Sequence, residues 1–358
     1  MLKSILGIPL PLSRGSGRIP RRGGQSRALR LCLVAVLALA SSWAVAAQRG
    51  RGQPPRPDNP RSLAHISAAR TLAGDDAFLS NPYNFFCVAG NARAQNNNAP
   101  DLEPTKLFDN VYAVGNSETT VYALTSSEGI LLLDAGFENK AEALAAQLRT
   151  LNLDPARVKY ILLGHGHADH FGGARFFQQT YGTKVATTAA DWDAISSPPA
   201  AGPFPGRGGG GGGARPARDE TLVDGRPFVF GDLTITPVAV PGHTPGSLAF
   251  IFPVKDKGTT RMAGLFGGTV LTTGILTTDA LKQYTQSIAR YLESAKAMNV
   301  EVELQNHPIF DGTPARLATV RAAGAGDSNP FVIGNGRYLA MWNIVSECIQ
   351  AEIARRDA

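Results

Sequence analysis

The stretch Leu163–Gly172 constrains the possible folds of this chain more than any other part of the sequence. It reads Leu-Gly-His-Gly-His-Ala-Asp-His-Phe-Gly and overlaps the end of the apolar run 158–163, which is typical of a buried strand. Three of the six histidines of the chain and one aspartate therefore lie at the carboxyl end of a strand. Open α/β sheets usually place their ligand sites at that end. The alternative is a polar loop that happens to be rich in histidine.

The side chains of this stretch suit a zinc ion, because Zn²⁺ binds neutral imidazole nitrogens and carboxylate oxygens. His165 and His167 are two residues apart on an extended or turning segment, so both can face one metal ion. Asp169 and His170 follow where we expect the chain to bend into a helix, and they can face a second ion. The spacing thus predicts a metal site.

Hydrophobic periodicity elsewhere in the chain predicts strands in two batches, each followed by helices. Such an order favours an α/β fold in which two sheets pack together with helices outside. The predicted strands span 111–114, 120–124, 129–133, 158–163, 184–187, 227–230, 233–240, 248–252, 261–268 and 300–304, and the predicted helices span 62–73, 137–151, 174–181, 190–195, 279–298, 314–322 and 338–355.

Two later histidines also follow predicted strands. His243 lies in the turn Pro-Gly-His-Thr-Pro-Gly-Ser, and His307 comes just after the strand 300–304. A single histidine at such a place is usually a polar loop residue, but two of them beside the 165–170 cluster favour metal ligands. Together with Asp169, the five histidines can fill two sites of three ligands each, which leaves a coordination position open for catalysis. His65, in a predicted helix, is interpreted as a surface residue.

These motifs in this order resemble the metallo-β-lactamase superfamily over roughly residues 105–315. The resemblance implies an αββα sandwich with two Zn²⁺ ions at one edge. It also implies that Asp134, in Asp-Ala-Gly, supports the site, although a strand-ending turn residue is the simpler interpretation. The implied ligands are His165, His167 and His243 for one zinc and Asp169, His170 and His307 for the other.

The subfamily depends on the stretch Gly264–Val270. Glyoxalase-like hydrolases and lactonases carry a bridging aspartate there, and other β-lactamases of the superfamily carry a cysteine. Here the stretch has neither, which looks like the third subclass of metallo-β-lactamases. Enzymes of that subclass use hydroxyl-bearing residues nearby to hold a substrate carboxylate. Thr269, Thr272 or Thr273 can serve in this way, or they can be ordinary strand threonines.

The resemblance therefore implies a dizinc hydrolase that opens β-lactam rings. A metal-held hydroxide would attack the lactam carbonyl, with Asp169 as the catalytic residue that orients it. A dizinc hydrolase of the same fold that acts on esters or lactones is the first alternative. An exported zinc-binding protein without catalysis is the second.

The N-terminus predicts export. Seven basic residues and no acidic residue precede Ala47, and the apolar segment 31–40 is followed by small residues suited to cleavage. The apolar segment is shorter than the roughly 20 residues that span a bilayer, so no stable membrane anchor is expected after cleavage. Without these seven residues, 28 basic and 29 acidic residues remain, which argues against a nucleic-acid partner. The expected location is the periplasm or the medium.

The expected organisation has four parts. Residues 1–47 form the signal peptide, 48–104 a tether and N-terminal extension, 105–315 the catalytic domain, and 316–358 a helical extension packed on that domain. Within the domain, 196–218 contains six consecutive glycines and predicts a flexible loop, either a flap over the site or a surface insertion. It lacks the lysine of a phosphate-binding loop. Cys87 and Cys348 can form a disulfide or remain buried thiols.

Overall fold

Two β-sheets face each other, as the two batches of predicted strands require. The computed structural model describes residues 56–90, 96–197, 214–271, 273, 276–324 and 326–357. The predicted signal peptide, residue Thr272 and most of the glycine-rich loop lie outside these ranges. The first sheet has the order β1-β2-β3-β4-β5-β6-β7, and the second has the order β12-β11-β10-β9-β8. The strands are β1 Thr105–Phe108, β2 Val111–Gly115, β3 Thr120–Ser126, β4 Gly129–Leu133, β5 Val158–Leu162, β6 Lys184–Thr187, β7 Glu220–Thr221, β8 Phe228–Phe230, β9 Leu233–Ala239, β10 Leu248–Asp256, β11 Thr259–Phe266 and β12 Val300–Leu304.

Helices cover the outer faces of both sheets. Helices α3, α5 and α6 lie against the first sheet, while α1, α2, α7 and α9 lie against the second. The helices are α1 Pro60–Ala73, α2 Ala77–Tyr83, α3 Ala141–Thr150, α4 Ala168–Phe171, α5 Ala174–Tyr181, α6 Ala189–Ser196, α7 Thr278–Ala297, α8 Thr313–Ala322 and α9 Asn335–Arg356. A π-helical turn, Asn84–Val88, follows α2.

The apolar side chains of the central strands alternate between two cores, because successive residues of a strand point to opposite faces. In β4, Leu131 and Leu133 join the core between the sheets, whereas Ile130 and Leu132 join the core beneath the helices of the first sheet. All four are buried. The expected αββα sandwich is therefore confirmed.

The N-terminal helices and α9 form one layer on the second sheet. Cys87, in the π-helical turn, forms a disulfide with Cys348 of α9, so the alternative of two buried thiols is wrong. His65 of α1 is not an isolated surface residue, since its Nδ1 lies 2.7 Å from Glu347 Oε2 on α9. Among the described helices, none has the length and apolar character needed to cross a bilayer.

A buried ionic cluster lies between β12 and α8. The Arg316 guanidinium donates to Glu303 and, at 3.0 Å, to Asp311, and it stacks 4.1 Å from the Phe331 ring centre. Both carboxyl groups are completely buried. Two acids thus share one nearby cation. Burial, and then the charge of Asp311, raises the pKa of Glu303 to about 8.

We expect Glu303→Gln to flatten the pH dependence of stability between about pH 4.5 and 8. The pKa of Glu303 is higher in the folded chain than the ordinary 4.5. The stabilisation of the folded state by the protonated carboxyl is therefore complete below pH 4.5 and is lost as pH rises towards 8. The free energy of unfolding of the wild type should fall by on the order of a few kcal/mol between pH 5 and pH 8, and that of Glu303→Gln should fall by less. Denaturant unfolding at the two pH values measures both. Glu301→Gln, at a partly exposed ion pair, is the control. Equal pH profiles for wild type and Glu303→Gln would contradict the assignment.

Candidate metal centre

Loops from both sheets meet at one edge of the sandwich. Asp134 directly follows β4, and the segment 164–170, whose last three residues begin α4, follows β5, so the first sheet delivers that part of the site. His243 lies in the turn between β9 and β10, and His307 follows β12, so the second sheet delivers the rest. All five site histidines proposed from the sequence, with Asp169, come together in two groups of three.

The first group contains His165, His167 and His243, whose possible ligand atoms all lie within 4.8 Å of one another. His243 Nε2 lies 3.0 Å from His167 Nδ1. His165 is 1 % exposed, and within the described part of the chain neither of its ring nitrogens has a hydrogen-bond partner. An unsatisfied buried polar group costs about 1–3 kcal/mol. A metal ion would satisfy such a nitrogen.

The second group contains Asp169, His170 and His307. The two histidine Nε2 atoms are 3.1 Å apart, and Asp169 Oδ2 lies 3.6 Å from His170 Nε2 and 3.7 Å from His307 Nε2. Zinc ligands at ordinary bond lengths in a tetrahedron are about 3.3–3.5 Å apart. The spacing in both groups therefore fits one Zn²⁺-sized ion each. Zinc binding by these six residues stays a prediction.

Partners on the far side of each ring orient the histidines of the second group. His307 Nδ1 donates to the Glu118 carbonyl at 2.8 Å, because a carbonyl can only accept. His170 Nδ1 lies 2.5 Å from Asp134 Oδ2. Both contacts leave Nε2 facing the centre of the group. Such outer contacts fix the tautomer of metal-binding histidines.

Asp134 has the place that the sequence suggested for a supporting residue. Its second oxygen, Oδ1, accepts a hydrogen bond from the Gly164 N–H at 2.7 Å, so one carboxylate holds both a histidine ring and the start of the histidine loop. The residue is 1 % exposed and has a φ of 64°, a conformation that side chains other than glycine seldom adopt.

Burial and neighbouring rings keep two imidazoles of the first group neutral. Burial, and then the neighbouring histidines, lower the pKa of His165 well below its ordinary value. The same two causes lower the pKa of His243. An imidazole that resists protonation retains the lone pair that a metal needs.

The structure adds two residues that sequence reasoning did not find. Glu118 contributes a backbone carbonyl, which no side-chain pattern can reveal. Asp191, at the start of α6, is completely buried, and this burial raises its pKa to about 6. No local sequence signal marks Asp191, because the groups that it binds are 25 or more residues away in the chain.

The three candidate substrate threonines have different outcomes. Thr269 is 2 % exposed, and its hydroxyl lies 2.7 Å from the Phe266 carbonyl and 2.8 Å from Gln305 Oε1. The hydroxyl is thus occupied by protein partners, and a role of Thr269 in substrate binding stays a prediction. Thr273 is half-buried, and its carbonyl accepts a hydrogen bond from Arg356. The roles of Thr272 and Thr273 remain predictions.

Two glycines occupy the stretch where a bridging ligand would stand. A Cβ atom on Gly267 would lie 2.4 Å from the Leu248 carbonyl oxygen. A Cβ on Gly268 would lie 2.7 Å from His243 Cβ and 2.8 Å from its Cγ and Cδ2. Real Cβ contacts are essentially never that short. Gly267 has no room for a side chain beside this backbone, and Gly268 has none while His243 keeps its position.

A family model described as the metallo-β-lactamase superfamily matches residues 114–256. Among curated proteins, the chain is 26% identical over 118 residues to a hydroxyacylglutathione hydrolase of Acidiphilium cryptum, covering 33% of this chain and 40% of the relative. It is 31% identical over 131 residues to the N-acyl homoserine lactonase AttM of Azorhizobium caulinodans, covering 33% and 44%. The chain thus spans about two fifths of the length of these curated relatives.

Solved structures match over more of the chain. The subclass B3 metallo-β-lactamase BJP-1 of Bradyrhizobium japonicum is 26% identical with a TM-score of 0.57, over 70% of this chain and 90% of that one. The metallo-β-lactamase FEZ-1 of Legionella gormanii is 22% identical with a TM-score of 0.58, over 68% and 92%. The second likeness concerns the fold alone.

Proposed function

We propose that this chain, whose residues 114–256 match the model of the metallo-β-lactamase superfamily and whose fold resembles that of subclass B3 enzymes, is an exported, zinc-dependent hydrolase that opens β-lactam rings. One observation carries the proposal. Two groups of three inward-facing donors lie side by side, and the stretch where the family resemblance places a bridging ligand in other subfamilies has Gly267 and Gly268, with no room for a side chain.

The chemistry follows from the two ligand groups. When bound, two zinc ions would supply a hydroxide at neutral pH and polarise the lactam carbonyl. Asp169, which is 6 % exposed, can accept a hydrogen bond from the attacking oxygen and orient it towards the carbonyl carbon. Asp134 and the Glu118 carbonyl keep His170 and His307 in the tautomer that presents Nε2.

Ester or lactone hydrolysis is the second candidate. It is supported by the 31% identity with the N-acyl homoserine lactonase AttM, over 33% of this chain. The two glycines count against it, because the bridging aspartate of lactonase-like relatives has no space at either position. The ligand groups themselves do not distinguish the two substrates.

We expect the mature chain, recovered from the periplasm and loaded with zinc, to hydrolyse a chromogenic cephalosporin with kcat/KM of about 10⁴ M⁻¹s⁻¹ or more. A chelator should abolish turnover, and added zinc should restore it. The mass of the recovered chain tests cleavage near Ala46 or Ala47.

An acyl homoserine lactone and an acyl glutathione thioester serve as matched substrates in the same assay. Two bound zinc ions with turnover of the lactone or thioester, and none of the cephalosporin, would contradict the β-lactamase proposal and favour the second candidate. Binding of two zinc ions without turnover of any of the three would leave an exported zinc-binding protein.

A further inference from the structure

One buried carboxylate outside the two ligand groups contacts both loops of the first group. Asp191 Oδ2 accepts hydrogen bonds from the Gly166 N–H at 2.8 Å and from the Thr244 hydroxyl at 2.9 Å. Its Oδ1 accepts from the Gly246 N–H at 3.0 Å. All three donors are thus held by one side chain that has no exposure to solvent.

These donors are neighbours of the ligands themselves. Gly166 separates His165 from His167 in the loop after β5, and Thr244 follows His243 in the turn between β9 and β10. The two loops belong to different sheets. A backbone hydrogen bond from the Leu248 N–H to the Gly164 carbonyl, 2.8 Å long, joins the start of the first loop to β10. A carboxylate that binds both loops beside the histidines themselves therefore helps to fix the distance between the ligands.

The turn between β9 and β10 lies tightly against the start of α6. Thr188, the N-cap of α6, donates its hydroxyl to the Gly246 carbonyl at 2.9 Å. A Cβ atom on Gly246 would lie 2.1 Å from Thr188 Oγ1 and 2.6 Å from Asp191 Cγ. Glycine at this position is what allows the backbone to reach the carboxylate.

We propose that Asp191 is the positioning residue of the first ligand group, as Asp134 is of the second. The two carboxylates take alternate N–H groups of one loop, Gly164 for Asp134 and Gly166 for Asp191. Asp191 contacts neither the reacting atoms nor a ligand ring through a described hydrogen bond. The inference rests on the proposed function, because it requires that His165, His167 and His243 bind a metal ion.

The test is the replacement Asp191→Asn, measured by zinc affinity in two backgrounds. Asp169→Ala keeps all three residues of the first group, and His243→Ala keeps all three of the second. The amide of Asn offers one acceptor oxygen and places an NH₂ against an N–H donor. We expect Asp191→Asn to weaken zinc binding about 10- to 100-fold in the first background and to leave it unchanged in the second.

Two further variants make the result specific. Asp193→Asn, on the same helix with a largely exposed side chain, should not change zinc affinity in either background. Thr244→Val removes one of the three donors with little change in shape, and it should give a smaller loss confined to the first group. It keeps the proposal testable if Asp191→Asn does not fold.

The outcomes separate this inference from the proposed function. Equal zinc affinity of the first group with and without Asp191→Asn would overturn the inference, while wild-type binding of two zinc ions would leave the proposed function standing. Loss of zinc from both groups in the variant would also overturn it, since the role would then be general stability. A wild-type chain that binds no zinc would contradict the proposed function and, with it, the inference.

Discussion

Asp169→Ala is expected to lower kcat/KM for a cephalosporin by about 10³-fold or more, because the loss of a metal ligand removes several kcal/mol of transition-state stabilisation. Asp169 is the one carboxylate among the six ligand residues, and its Oδ2 lies 3.6 and 3.7 Å from the Nε2 atoms of His170 and His307. Its removal leaves two imidazoles in the second group, so bound zinc should fall from two ions to one.

The measurement combines steady-state kinetics with metal analysis of the same preparation. Asp193→Ala, at an acidic residue with a largely exposed side chain, is the matched control and should keep both zinc ions and full turnover. Near-normal turnover by Asp169→Ala with a single zinc bound would show that catalysis requires neither Asp169 nor the second zinc ion.

Gly268→Ala should lower turnover about 100-fold, because a displacement of about 1 Å in a catalytic site has effects of that size. The new methyl group would lie 2.7–2.8 Å from three atoms of His243, so the ring must move away from His167. Gly268 also has a φ of 73°, which adds backbone strain to the steric conflict. Turnover and zinc affinity of the first group should fall together.

Gly258→Ala separates the backbone strain of Gly268→Ala from its steric conflict with His243. Gly258 has a φ of 82°, but a Cβ there meets no atom within 4 Å. It should cost about 1–2 kcal/mol of unfolding free energy through backbone strain and leave turnover unchanged. If Gly268→Ala behaves in the same way as Gly258→Ala, then Gly268 does not position His243.

Local sequence patterns predicted most of the strands and helices and the candidate ligand residues. β5 is a largely apolar run, β12 alternates apolar and acidic residues, and α7 has a clear helical period, so their bounds differ from the predicted ones by at most about two residues. The grouping of the candidate ligands could be predicted because histidine is rare in this chain and five of its six histidines follow strands. Rare residues at repeated structural positions are informative without knowledge of contacts.

Features that depend on distant contacts could not be predicted. Cys87 and Cys348 are 261 residues apart, and their pairing depends on how the N-terminal helices dock on α9. Asp191 is 25 residues from Gly166 and 53 from Thr244, so nothing in its neighbourhood in the sequence marks its role. The surroundings of Thr269 could not be predicted for the same reason, since its hydroxyl lies 2.8 Å from Oε1 of Gln305, which follows β12.

Each ligand group takes one histidine from the second sheet, His243 or His307, and its other two residues from the loop after β5. A chain in which only one sheet has formed therefore contains no complete site. A bound ion in either group would link the two halves of the sandwich, so that available zinc would raise the melting temperature in proportion to the logarithm of its concentration. Metal binding in this architecture would report completed tertiary assembly, so the zinc supply during folding would influence how much metal-loaded protein accumulates.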